Sequence, residues 1–234
     1  MPHPNIRRYR FTHNMDNSKV ETLKKNLIEV RKAHRLVYSY QERMLSLVKF
    51  IRAHLNGNNL AGVKHFSNPI SKVQGREELK IVNEMWAWDF LYSYVFEYYI
   101  GGDTLPDGSS YNLSIVQYTD TGFFDSDIED RCDLSNFEDP ALASSKLLFI
   151  MEHIPKGKKA YWDGWGDLRQ FIEDKKYASA KHKSSEIHPN GPNNSRLLLY
   201  SIPLERFVDE RTSIDALKEY QAFLKKKGIE RTLV

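Results

Sequence analysis

From Trp86 to Ile100 the chain reads WAWDFLYSYVFEYYI, and the spacing within this stretch decides the fold. The even positions are Trp86, Trp88, Phe90, Tyr92, Tyr94, Phe96, Tyr98 and Ile100, whereas the odd positions include Asp89, Ser93 and Glu97. Side chains alternate across a strand, so this order puts a large aromatic surface on one face and a part-polar surface on the other. A helix would mix the two sets. The stretch is therefore predicted as a strand, long enough to need a bend or bulge, with a helical lead-in over 77–85. Such a row of aromatics is ordinarily core; exposed, it would stack bases or sugars.

Working towards the C-terminus, Gly101-Gly102-Asp103 and Pro106-Asp107-Gly108 predict a loop returning into a second strand over 111–119. Apolar runs over 146–153 and 196–203 predict two more strands. A helix is expected over 165–177, then a polar loop over 183–195. A last helix starts at a Thr212 or Ser213 cap, presents Ile214, Leu217, Tyr220 and Leu224, and stops at Gly228. Hairpin-linked strands with helices grouped before and after them read as α+β, with a mostly antiparallel sheet of about four strands.

Working towards the N-terminus, the spacing predicts one long amphipathic helix over 18–57. Ser18 and Glu21 have capping-box spacing. Val20, Leu23, Leu27, Val30, Val37, Met44, Val48, Ile51 and Leu55 recur at steps of three and four, with His34 and Gln41 on the same seam. Asn56-Gly57 ends the run, Gly57 being the residue suited to a left-handed closure. The first half of the seam is narrow and flanked by Lys24, Lys25, Glu29, Arg31 and Lys32. This suits a coiled coil in which His34 and Gln41 set register, so a homodimer through residues 18–55 is expected. A helical hairpin, or one curved helix packed on its own domain, is the rival. The second half widens with Leu36, Tyr38, Tyr40, Leu45, Leu47 and Phe50 and is expected to be buried. The domain reading is an arm over 1–17, the helix over 18–57 and an α+β domain over 58–234.

The sequence is 41% hydrophobic and 28% charged with a net charge of +3, which fits a folded protein and is too weakly basic to commit it to nucleic acid. No apolar run is long enough to span a membrane, and no apolar region follows the arginines at Arg7 and Arg8, so no secretion signal is expected. Cys132 is the only cysteine, which rules out an internal disulfide and a cysteine-based metal cluster. A reducing cytoplasm is the expected location.

Candidate chemistry lies in three places. Between Asp120 and Asp139 eight acids face a lone Arg131. Asp125, Asp127 and Glu129 lack the glycine and terminal acid of a calcium loop, so this reads as a solvated acidic loop or a loose divalent-cation site. Asp120 and Glu152 at strand ends, with Lys156 beyond, resemble the way metal-dependent nucleases assemble carboxylates on Mg²⁺ with a lysine orienting water. Ile154, however, stands where that lysine belongs. The stretch after Pro155 is basic and aromatic: Lys156, Lys158, Lys159, Trp162, Arg169, Lys175, Lys176 and Lys181 would form a phosphate-and-base surface or a solvated face. The histidines show no zinc spacing. Cys132 sits among acids that disfavour its thiolate. Neither a phosphate loop nor a nucleophile elbow is present.

These features point to a dimeric cytoplasmic binding module that contacts nucleic acid or a protein through its basic, aromatic C-terminal half and needs no cofactor. The alternative is a Mg²⁺-dependent nuclease-like hydrolase using Asp120 and Glu152 as metal ligands and Lys156 to orient water.

Overall fold

The computed structural model describes residues 17–65, 95–122, 134–160, 184–187 and 195–229. The strand expected over 86–94, the helices over 77–85 and 165–177, Cys132 and most of the acidic loop lie outside them. The chain divides into two compact units, Met1–Leu45 and Ser46–Val234.

Helix α1 runs from Asn17 to His54. Every residue from Glu21 to Ser39 is exposed, including Leu23 at 57% and Leu36 at 71%. From Met44 onward the seam changes character, and Met44, Val48, Ile51 and Leu55 are buried. Only the seam of the second half is buried: of the residues that widen it, Leu36, Tyr38 and Leu45 are exposed and Tyr40, Leu47 and Phe50 half-buried. Burial of that seam leaves the exposed apolar positions of α1 mainly in its first half.

α1 ends in a Schellman motif: Gly57 N–H donates to Arg52 O at 2.9 Å and Asn56 N–H to Ala53 O at 3.2 Å. The left-handed residue is Asn56, at φ 49°, rather than Gly57. The glycine is needed for space instead. A Cβ at Gly57 would stand 2.4 Å from Ile100 Cγ2 and 2.9 Å from Ile100 O.

The second unit is built on an antiparallel sheet of six strands: β1 (Ala61–His65), β2 (Val95–Thr104), β3 (Ser110–Tyr118), β4 (Lys146–Ile154), β5 (Ser185–Ile187) and β6 (Arg196–Pro203). Their order across the sheet is β1-β2-β3-β4-β6-β5. The four expected strands are its middle; the short edge strands β1 and β5 complete it. β5 falls inside the stretch expected to be a polar loop, and its three residues take their strand conformation from pairing with β6.

β2 continues through Gly101 and Gly102 to Thr104, further than the glycine pair suggested. The register shifts between Tyr99 and Gly101, so a bulge does occur in this strand. The turn behind it uses its residues as their chemistry dictates. Gly108 takes φ 81°, and Asp107 accepts from Ser109 N–H at 2.9 Å.

Buried side chains lie on both faces of the sheet. On the back face, helix α2 (Glu210–Lys226) packs Tyr220 against Phe149 and Tyr200 at ring distances of 4.8 and 5.6 Å. Each buried aromatic of this kind is worth about 2–3 kcal/mol. Phe96, Tyr98 and Ile100 sit on the aromatic face of β2; Tyr98 and Ile100 are buried and Phe96 is half-buried. Over the described residues this face is core, not a stacking platform. A Cβ at Gly62 would fall within 2.3 Å of the Phe96 ring, so β1 is pared down there to admit it. α2 starts earlier than expected, because Asp209 rather than Thr212 is its cap. The Asp209 carboxylate accepts from Thr212 N–H at 2.8 Å, and Thr212 Oγ1 in turn accepts from Asp209 N–H.

Candidate functional site

The front face of the sheet carries polar side chains where a core would normally be apolar. Strand register places Glu97 and Tyr99 of β2, Asn112 and Ser114 of β3 and Glu152 of β4 on this one face. Glu97 is 1% exposed and Glu152 0% exposed. Burying a carboxylate is costly unless donors satisfy it, and here the neighbouring strands supply them. Ser114 Oγ donates to Glu97 Oε1 at 2.7 Å. Asn112 Nδ2 donates to Glu152 Oε2 at 3.4 Å, while Asn112 Oδ1 accepts from Tyr99 OH at 3.1 Å. Burial, and secondarily the negative charge of Glu152, push the Tyr99 phenol above its ordinary range, so it stays a protonated donor at neutral pH.

This relay ends in an open cleft of about 560 Å³ at the hairpin end of β2 and β3. Gly102 forms part of its wall; a Cβ there would stand 2.3 Å from Tyr111 O and 2.6 Å from Asn112 Oδ1. Asn58, in the segment after α1, crosses this wall and donates from Nδ2 to Gly102 O at 2.7 Å.

A second polar assembly lies on the back face. Arg196 Nε always carries hydrogen, and it points at His153 Nδ1 at 3.3 Å. Nδ1 is therefore the acceptor, and the imidazole proton sits on Nε2, 3.1 Å from Ser109 Oγ. Ser109 Oγ donates onward to Asp107 Oδ1 at 2.6 Å. This polarity is the reverse of a nucleophilic serine, which must give its proton to the histidine. Burial first, and the Arg196 charge second, hold His153 below its ordinary range and keep it neutral. Arg196 also donates to Glu186 at 3.2 Å and to Lys227 O at 2.8 Å, and Lys227 Nζ lies 2.9 Å from Glu186. The assembly ties the β2–β3 turn, β4, β5, β6 and the end of α2 together.

The structure does not bring the nuclease-like set together. β3 and β4 are antiparallel, with Glu152 opposite Asn112, so Asp120, eight residues further along, stands roughly 25 Å away by strand rise. Asp120 Oδ1 accepts from Gly122 N–H at 2.9 Å, a turn-forming role. Asp139 does the same for Ala141 N–H at 2.8 Å. His153 follows Glu152 in sequence but faces the opposite side of the sheet. No cluster of three metal-ligating side chains occurs among the described residues.

Lys156, Lys158 and Lys159 are exposed in the turn after β4, which closes from Lys158 N–H to Pro155 O at 3.0 Å. The Lys156 stem lies over Gly108. Trp162, Arg169, Lys175, Lys176 and Lys181 fall outside the described residues.

The front-face relay and the serine–histidine assembly were both missed from sequence. The signal for the first was present. Alternation puts Asn112 with Ser114 and Glu97 with Tyr99, and only the register needed to join them was missing.

Among the described residues, no helix is long and apolar enough to cross a membrane. No curated protein and no solved structure matches the chain. A family model does match, over residues 20–230, and on that match the chain belongs to the family described as PM0109.

Proposed function

We propose that the protein is a cytoplasmic interaction module that self-associates through the first half of α1 and meets a polyanion or protein partner through the basic segment after β4. The observation that carries this reading is the exposed seam: Leu23, Leu27, Val30 and Val37 lie on solvent at coiled-coil spacing, with Ile28, Leu36 and Tyr38 exposed beside them. A monomeric protein rarely leaves so much contiguous apolar surface open. His34 falls at a core position of the seam, where a polar residue fixes register at some cost in stability. Support for the second contact comes from the turn after β4. The ammonium groups of Lys156, Lys158 and Lys159 make no ion pair among the described residues, so they remain available to phosphates or carboxylates.

Sedimentation equilibrium at tens of micromolar tests the reading. The expected result is a dimer that dissociates in the Leu23→Glu/Leu27→Glu variant without loss of helical signal. A wild-type monomer at that concentration overturns the dimer. Fluorescence anisotropy with labelled DNA and RNA at two salt concentrations, with and without Mg²⁺, tests the basic segment. Binding that weakens steeply with salt supports phosphate contacts, whereas no response leaves a protein as the partner.

A further inference from the structure

The cleft at the hairpin end of β2 and β3 plays no part in the interaction surfaces above, yet it is built more carefully than a surface irregularity requires. Its lining includes Asn58, Asn59, Tyr99, Thr104, Ser110 and Asn112, with no lysine, arginine or histidine; Asp103 and Tyr111 also border it, but strand register turns their side chains to the opposite face of the sheet. That composition selects by exclusion. An anionic ligand would meet no cation. An apolar ligand would find only Ile154 as an aliphatic surface and would strand the polar groups around it. A ligand bearing several neutral hydroxyls matches, because amides and hydroxyls each donate and accept.

Two further observations support a prepared site. Asn112 is held at both ends of its amide, by Tyr99 OH at 3.1 Å and by the buried Glu152 at 3.4 Å, and a side chain so fixed loses little entropy on binding. The wall beside it is glycine by necessity, since any Cβ at Gly102 would collide with Tyr111 O and Asn112. In contrast, the side chains of Asn59, Thr104 and Ser110 make no hydrogen bonds among the described residues and line the same space. Anchored and uncommitted polar groups thus share a cleft of about 560 Å³, within the range of small-molecule sites.

We propose that this cleft binds a neutral polyhydroxylated ligand, with Asn112 as the fixed contact, Asn59, Thr104 and Ser110 as the contacts completed by ligand, and the half-buried Tyr99 supplying aromatic surface. The hydroxyls are those of a sugar or of the ribose of an uncharged nucleoside, and the test separates the two.

Saturation-transfer NMR on the full chain would use methyl glucoside, methyl galactoside, methyl mannoside and N-acetylglucosamine as the sugar arm. Adenosine and uridine form the nucleoside arm, and glucose 6-phosphate is the anionic counterpart. The expected result is transfer to at least one neutral probe, a phosphorylated probe at least tenfold weaker, and a tenfold or greater loss in Thr104→Val/Ser110→Ala at unchanged Tm. Transfer confined to one arm identifies the source of the hydroxyls. The proposal is overturned if no neutral probe responds, if glucose 6-phosphate binds as well as its neutral relatives, or if the double variant, folded as judged by its Tm, binds like wild type.

Discussion

Ser114 and His153 show how far single side chains can be read as energies. Glu97 is a carboxylate inside a sheet, and the Ser114 hydroxyl at 2.7 Å is one of its donors. Ser114→Ala removes that donor without changing the backbone and is expected to cost about 1–3 kcal/mol in urea denaturation, with Ser114→Thr restoring part of the loss. A change of only a few tenths would mean that the carboxylate is held by its other contacts. His153 makes a prediction with a definite sign. An unfolded chain takes up the imidazole proton near pH 6.5, whereas burial and Arg196 delay that uptake to lower pH in the folded chain. Between the two points the unfolded state binds more protons, so stability falls as pH falls through about 6.5 and levels off once the folded imidazole is also protonated. Denaturation midpoints from pH 7.5 to 5 should show this slope in wild type and a shallower one in His153→Gln. Equal slopes would remove His153 as its source. Glu186, held low mainly by the Lys227 ammonium and then by Arg196, adds a separate loss below the ordinary carboxylate range.

At the level of elements, legibility followed the strength of local pattern. β3, β4, β6 and α2 were readable because periodicity and turn residues agree there, and the buried seam from Met44 to Leu55 followed from its steps of three and four, whereas the residues that widen α1 stay exposed or half-buried. β1 and β5 were not readable. Ala61-Gly62-Val63-Lys64-His65 has little strand character, and its pairing depends on β2, whose Phe96 ring needs the space at Gly62. The ends of helices misled for a related reason. Asp209, Thr212 and Ser213 all have capping chemistry, and only the backbone path shows which carboxylate or hydroxyl reaches a free N–H. Asn56 and Gly57 divide between them the two tasks, left-handed backbone and close approach, that the sequence alone assigned to glycine. The pairing of Asp120 with Glu152 failed because strand ends were treated as equivalent. In an antiparallel pair, the ends of successive strands lie at opposite ends of the sheet.

For the whole molecule, the division at Leu45 carries its own prediction. The second unit holds the sheet, α2 and the seam from Val48 to Leu55, so a chain beginning at Ser46 contains nearly all the described core. It should keep its strand signal and unfold cooperatively, and it should sediment as a monomer even where the full chain pairs. Loss of cooperative unfolding would show that the first unit is required for the fold. The candidate sites divide along the same line: the exposed seam was visible in the sequence because it is local in the chain, whereas the cleft was hidden because β2, β3 and the segment after α1 meet only when folded.

The order of strands has a consequence for synthesis. β2, β3 and β4 pair as near neighbours in the chain, but β6 reaches β4 only after residues 155–195 have been made. While a ribosome is still translating that interval, β4 is the outermost strand of a partial sheet, and its Leu147-Leu148-Phe149-Ile150-Met151 run presents an unpaired row of N–H and C=O groups. The nascent chain is then most exposed to pairing with another copy of itself.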